Sequence, residues 1–387
     1  MCELLGLNFN IPVNPKLSFS GFRLRGKKNP DGWGLGWYPD NKNSLQLIKE
    51  AFNVNESSLA DFIENYSQNN IHSTTIIGHV RYSTVGNIAH ENTHPFHREL
   101  NGKEFVFAHN GNIKNFKEFK LQRFFPIGET DSEHLFCYIL DQFNKEKRNF
   151  ESKQSFRQIW DLFKHINEFG VFNCLLSNGK YLFAYRDING LRKLHWVYRK
   201  PPYTNIELKD RHYSIKIEDE DVDKQEGVII ATRPLTVGEN WQEFDFGELK
   251  IFKDGVLLFS SEKIDITKGN FVKSIVYEAP DWMEKNSENI VGLPYYVRKA
   301  LNIQEEDEVL IKNLQETLSL KVTVKKTSKD MIRPSKSEAE ENHILVPKRI
   351  RTKLNLKKLK TRNTAKFKSI YGTILVYPLN SSSQVNI

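Results

Sequence analysis

Cysteine is scarce in this chain: three residues in 387, Cys2, Cys137 and Cys174. An odd, sparse set without CxxC spacing argues against a disulfide framework and gives no zinc-site pattern. Long apolar runs are missing too. Nothing reaches the roughly 18 residues that a membrane-spanning helix requires. The opening MCELLGLNFNIPVNP lacks a basic n-region and a long apolar h-region, so no signal peptide is expected and a cytoplasmic location is inferred. Phosphate-loop spacing is also absent, because DGWGLGWY (31–38) fits neither GxxxxGK nor GxGxxG. No cofactor is called for.

What is present is the composition of a globular protein, 39% hydrophobic and 27% charged, in a chain long enough for two domains. Cys137 in HLFCYIL and Cys174 in VFNCLLS are embedded in apolar runs and read as small buried hydrophobes. Cys2 differs, since only a removable methionine precedes it. The charge is uneven. The formal net charge is +8 overall, yet Glu341 to Ile387 holds ten Lys or Arg against one acid, so the remainder is close to neutral.

Residues 2–255 read as one α+β domain. TTIIGHVRYST, EFVFAHNG, VFNCLLS, YLFAYRD, LHWVYRK, GVIIATRPL and ELKIFKDG are strand-like runs bounded by turn residues. SSLADFIENYSQ, SEHLFCYILDQFNKE and SFRQIWDLFKHINEFG carry apolar residues at helical spacing, the last ending on a glycine at a C′ position. Residues 256–288 read as a connector, within which NFVKSIVYEAPDWM (270–283) reads as a connector or a bridging strand, and 289–387 as a small, basic, β-rich domain. Within it NIVGLPYYVRKALNI (289–303) matches NHILVPKRIRTKLNL (342–356) at an offset of 53, pairing Pro294 with Pro347, Arg298 with Arg351, Leu301 with Leu354 and Asn302 with Asn355. Each copy reads as strand, Pro-started helix and strand, which suggests a duplicated, pseudo-symmetric barrel. TSKDMIRPSKSEAEEN between the copies reads as a polar loop.

Five segments carry chemistry. Removal of Met1 would leave Cys2 with a free α-amine, of pKa roughly 8, beside its own thiol, so one residue would supply nucleophile and base. In GHVRYSTVG (78–86), Arg81 ends a strand, where a guanidinium can clamp a carboxylate. In AHNGNI (108–113), a side-chain amide next to a glycine N–H can form an oxyanion hole, although Asn-Gly is also a turn signal. In GETDSEH (128–134), Thr130 or Asp131 can cap a helix, or Asp131 can pair with an ammonium group. DGWGLGWY is a Gly-rich strand with Trp33 and Trp37 on one face.

In this order, MCELLG, DGWGLGWY, GHVRYSTVGN, ENTHPF, FAHNGNI and GETDSEH resemble the class II glutamine amidotransferase domain. The likeness is nearest to stand-alone members, which include γ-glutamyl hydrolases. The resemblance covers about residues 2–255 and implies a four-layer αββα N-terminal-nucleophile hydrolase sandwich. It implies that Cys2 is the nucleophile, that Asn110 and Gly111 form the oxyanion hole, that Arg81 holds the substrate α-carboxylate and that Asp131 holds the α-ammonium. It also places Thr84 near the carboxylate. Tyr82 stands where many synthase-linked members have Trp, so the lid over the glutamine pocket is expected to differ.

Expected substrates are glutamine or a γ-glutamyl compound, with a separate synthase or other protein as a further partner; the alternatives are an ammonia-donating subunit for such a synthase, or a binding protein that acts through its basic C-terminal domain. His94 and His97 in THPFHREL are spaced i, i+3, but Pro95 between them argues against a helical metal pair, and no metal is expected. His79 and His109 are expected to make structural hydrogen bonds. Asn240 and Trp241 are expected to pack near the end of the domain. The basic run 348–368 can neutralise phosphates. With Phe367 as its single aromatic, it offers little base stacking, and nucleic-acid binding is disfavoured.

Overall fold

The computed structural model describes residues 2–39, 43–66, 71–83, 85–145, 150–188, 193–201, 206–208, 214–215, 224–262, 272–279, 281–293, 297–298, 301, 303–313, 318–326, 343–356, 360–361 and 369–378. The chain divides into two compact units, Met1–Ile188 with Arg192–Lys263, and Asn189–Leu191 with Ile264–Ile387. No helix among the described residues is long and apolar enough to cross a membrane.

The first unit holds two large antiparallel sheets. One contains β1 (Glu3–Val13), β2 (Trp33–Trp37), β3 (Gln46–Glu50), β4 (Ser73–Val80), β9 (His195–Arg199), β12 (Gly227–Ala231) and β14 (Gln242–Glu243), in the order β14–β9–β12–β1–β4–β2–β3. The other contains β5 (Phe96–Leu100), β6 (Lys103–Ile113), β7 (Gly170–Ser177), β8 (Leu182–Tyr185), β15 (Leu249–Lys253) and β16 (Val256–Ser260), in the order β16–β15–β8–β7–β6–β5. A small sheet joins β10 (Ile206–Leu208), β11 (Ser214–Ile215) and β13 (Thr236–Val237).

Three apolar clusters fix the layering. Leu4, Ile77, Val106, Ala108, Leu175 and Ile230 meet between the two sheets. Leu5, Leu7 and Ile76 pack outward against Phe19 and Phe22 of α1 (Lys16–Arg23) and Ala60 and Ile63 of α2 (Ser58–Tyr66). Phe107, Phe172 and Phe183 pack outward against α3 (Asp131–Lys145) and α4 (Lys153–Asn167) through Leu135, Phe136, Ile159 and Phe163. Both sheets are therefore covered on both faces, and the order of layers is αββα. Trp33 and Trp37 lie in the same outer cluster, as their period-two spacing requires.

Two expectations need correction. Gly170 is not a helix C′ residue. The helix ends at Asn167 and Gly170 opens β7, where a Cβ would meet the Asn112 carbonyl at 2.2 Å. The glycine serves close strand approach. The stretch 256–288 is not a bare connector either. Val256–Ser260 is the edge strand β16, paired to β15, and Val272–Glu278 is a strand of the second unit.

The second unit contains β17 (Val272–Glu278), β18 (Ile290–Leu293), β19 (Glu308–Asn313), β20 (Ser319–Lys326), β21 (His343–Val346), β22 (Lys360–Thr361) and β23 (Ser369–Pro378), with α5 (Asp281–Glu284) and α6 (Lys348–Lys353). The order is β17–β21–β18–β20–β19–β23–β22, and β17 also pairs with β23, which closes the sheet into a barrel around Val291, Val309, Val324, Ile344 and Val376. The internal repeat maps β18 onto β21. In both copies the buried arginine donates to a carbonyl five residues upstream, Arg298 Nε to Leu293 O at 3.2 Å and Arg351 Nη1 to Val346 O at 2.7 Å. Pro347 caps α6 from outside rather than starting it. Pro294, Asn302, the loop 327–342 and most of the basic run beyond Leu356 lie outside the described residues.

Candidate functional site

Strand alternation decides which side chains face the space between the sheets. In β6, Val106 and Ala108 point into it, so Asn110 does as well. In β4, Ile77 points inward, so His79 and Arg81 follow. In β1, Leu4 points inward, which puts Cys2 on the same face. The antiparallel register sets Glu3 opposite Val80 and Leu4 opposite His79. Cys2 consequently lies beside Arg81 at the mouth of the inter-sheet space, with Asn110 arriving from the facing sheet.

The contacts agree. Cys2 Sγ lies 3.3 Å from both the main-chain nitrogen and the main-chain oxygen of Tyr82. The Tyr82 N–H donates to the sulfur, and the thiol can donate to the Tyr82 carbonyl. Asn110 Nδ2 donates to the Cys2 carbonyl at 2.8 Å. Gly111 follows, and any Cβ there would meet the Val171 carbonyl at 1.9 Å. Only glycine permits β6 and β7 to approach at this point.

Arg81 is buried, and burial lowers its pKa, while the neighbouring Cys2 and Asp31 pull it back up. Its guanidinium donates to the carbonyls of Asn87 at 3.2 Å and Val85 at 3.1 Å, so the following loop is wrapped around it. Asp31 grips the same segment. Its N–H donates to Arg81 O, its Oδ2 accepts from Ser83 N at 2.8 Å, and Arg81 N donates to Gly32 O at 2.7 Å. Thr84 lies outside the described residues.

Asp131 is buried at the first turn of α3, capped by Thr130 Oγ1 accepting from Glu133 N at 3.2 Å. Asp131 Oδ2 accepts from Ile113 N at 2.7 Å, which docks the helix N-terminus against the end of β6. Asn92, also buried, binds both neighbouring loops. Its Nδ2 donates to Asn87 O and its Oδ1 accepts from Glu129 N at 2.8 Å.

The inward histidines stay neutral. His79 Nε2 meets the carbonyl of His109 at 3.2 Å and must donate to it, and its ring stacks on His94 at 4.2 Å. Burial pushes the His79 imidazole down to about 3 and holds His94 well below the usual range. His109 bridges Ser132 Oγ at 2.9 Å and Val171 O at 3.1 Å. His97 sits apart on β5, 4.0 Å from Glu104. No group of three possible metal ligands occurs among the described residues. Cys137 and Cys174 are buried, and burial pushes the first thiol up to about 12 and holds the second well above the usual thiol range. Trp241 Nε1 donates to Thr236 Oγ1 at 2.9 Å and takes no part in the site.

Cys2, Arg81, Asn110 and Gly111 are thus brought together, and Asp131 is tied to the same strand through Ile113. Sequence reading missed Asp31, Asn92, Ser132 and the main chain of Tyr82. Asp31 opens DGWG, but its partners lie about 50 residues away, and nothing local reveals them.

A family model of class-II glutamine amidotransferases matches residues 1–272. The chain belongs to that family. Its αββα sandwich is the layering that the resemblance implied. An uncharacterized protein of Methanocaldococcus jannaschii is 42% identical over 306 residues, covering 78% of this chain and 84% of that protein. The glutamine amidotransferase-type protein YafJ of Escherichia coli is 35% identical over 257 residues, covering 65% of this chain and 97% of its own length. A crystal structure described as a glutamine amidotransferase from Pseudomonas aeruginosa is 27% identical and covers 67% of this chain and 100% of that one, with a TM-score of 0.49.

Proposed function

We propose that this amidotransferase hydrolyses the γ-amide of glutamine or of a γ-glutamyl compound through a thioester on Cys2, after loss of Met1. The reading is carried by the convergence of Cys2, Arg81 and Asn110 at one mouth of the inter-sheet space, with Asn110 Nδ2 2.8 Å from Cys2 O.

In this mechanism Arg81 receives the α-carboxylate and Asp131 the α-ammonium, a pair of opposite charges that selects a free α-amino acid end. The γ-carbonyl carbon is then presented to Cys2 Sγ. The α-amine of Cys2, directly or through a water, takes the thiol proton. Sulfur attacks, and the negative charge on the carbonyl oxygen is met by Asn110 Nδ2 and Gly111 N–H. The C–N bond breaks as the amine leaves with the proton, and water then cleaves the γ-glutamyl thioester to release glutamate and restore the thiol. Thr84 belongs to this proposal as a group near the α-carboxylate.

The test is glutamate release by untagged protein from glutamine and from γ-glutamyl-cysteinyl peptides, beside Cys2→Ala. Faster turnover of the peptides supports a stand-alone γ-glutamyl hydrolase. Slow turnover of glutamine alone supports an ammonia donor for a separate synthase. Turnover that survives Cys2→Ala overturns the mechanism.

A further inference from the structure

Beside Asn110 lies a second amide that the mechanism above leaves unused. Asn110 of β6 and Asn173 of β7 are direct cross-strand partners. In β7, Leu175 points into the inter-sheet space, so Asn173 faces the same way as Asn110. Directly opposed residues on one face hold their Cβ atoms roughly 4.5–5.5 Å apart, close enough for two carboxamides to meet.

Asn173 is fully buried. Its Oδ1 accepts from the main-chain nitrogen of Asp187 at 2.8 Å. Asp187 follows β8, and β7 lies between β8 and β6. The two ends of a planar carboxamide splay to opposite sides of the Cβ–Cγ bond. With Oδ1 turned to the β8 side, Nδ2 is turned toward β6, where Asn110 stands. This Nδ2 has no hydrogen-bond partner among the described residues. A buried amide donor without a partner is costly and rare, and such groups call for a role.

The resting contact of Asn110 supplies that role. Its Nδ2 is engaged with the Cys2 carbonyl. Nδ2 carries two hydrogens, and this contact uses one of them; a turn of the carboxamide toward the substrate γ-carbon would free both for the oxyanion and leave Oδ1 in need of a donor. We infer that Asn173 is a positioning residue whose Nδ2 takes the Asn110 oxygen in the turned state, holding Asn110 Nδ2 on the oxyanion. Asn173 touches neither substrate nor Cys2. It acts through Asn110, and its contribution is confined to the tetrahedral state. The inference rests on Asn110 being the oxyanion donor.

The experiment compares wild type, Asn173→Ala and Asn173→Thr in the full chain. The threonine hydroxyl can still accept from Asp187 N and donate toward Asn110. For each protein kcat and KM are measured on whichever γ-glutamyl substrate the wild type turns over. Inhibition is measured with the γ-aldehyde of glutamate, which forms a tetrahedral adduct on the thiol, and with glutamate, which does not. Asn173→Ala is expected to lower kcat about 10-fold or more and to weaken the aldehyde by a similar factor, with KM and glutamate inhibition within about twofold. Asn173→Thr is expected to recover most of both losses. Wild-type kcat in Asn173→Ala overturns the inference. So does a loss shared equally by aldehyde, glutamate and thermal stability, which marks a merely structural residue. An active wild type with an unaffected variant leaves the proposed function standing. A wild type without Cys2-dependent turnover or aldehyde adduct overturns both.

Discussion

Cys2 Sγ is held 3.3 Å from the Tyr82 main-chain nitrogen, by a segment 80 residues away in the chain. The Tyr82 main chain thus helps to place the thiol, through the register of β1 on β4.

Cys2 should be the only thiol that iodoacetamide labels in the folded protein. Cys2 is partly exposed, whereas Cys137 and Cys174 are buried with thiols pushed upward, and alkylation needs an accessible thiolate. Intact-mass analysis should show one adduct on a chain lacking Met1. Retained Met1 on active protein would sink the N-terminal mechanism.

Asn110→Ala should lower kcat on the order of 100-fold with little change in KM, as expected for an oxyanion donor. Gly111→Ala should do more harm by another route. Its Cβ would sit 1.9 Å from the Val171 carbonyl, and backbone cannot yield as a flexible side chain can. Thermal unfolding should separate the two, with Gly111→Ala clearly destabilised and Asn110→Ala close to wild type.

Arg81→Lys should raise KM about 10-fold or more, because an ammonium cannot replace the planar fork that clamps a carboxylate. Asp131→Asn keeps an acceptor for Ile113 N while removing the charge, so it too should raise KM with the fold intact. Asp31→Ala should reproduce part of the Arg81 defect by freeing Ser83 N. Steady-state kinetics on glutamine check all three. Equal losses in kcat at unchanged KM would contradict the substrate-binding assignment.

Stability should fall in mild acid. His79 and His94 are held neutral by burial, His79 down to about 3, whereas both titrate near roughly 6.5 in the unfolded chain. Between those values the unfolded state binds more protons, so stability is complete above about pH 6.5 and declines as pH drops toward about 3. Urea midpoints measured across this window should decline, and His79→Gln, which keeps a donor for His109 O, should flatten the decline. An identical slope in the variant would contradict this origin.

The sequence by itself determined the family and singled out the candidate site residues. Cys2 was legible because only a removable methionine precedes it, and Arg81, Asn-Gly at 110–111 and Asp131 because each sits at or near the end of an apolar strand or a helix whose character shows in the residues. The helices of the second sheet and the repeat behind Arg298 and Arg351 were legible for the same reason. β1, the central strand, was absent from the strand-like runs, because ELLGLNF is buried on both faces and shows no alternation. Tertiary structure alone decided the rest. Register set Cys2 against Tyr82, the loop after Arg81 folded back onto its guanidinium, and Asp31 reached Ser83 across 52 residues. It also set Asn173 beside Asn110. Such partners are chosen by which strands pair and which faces meet, and a one-dimensional pattern carries periodicity but not pairing.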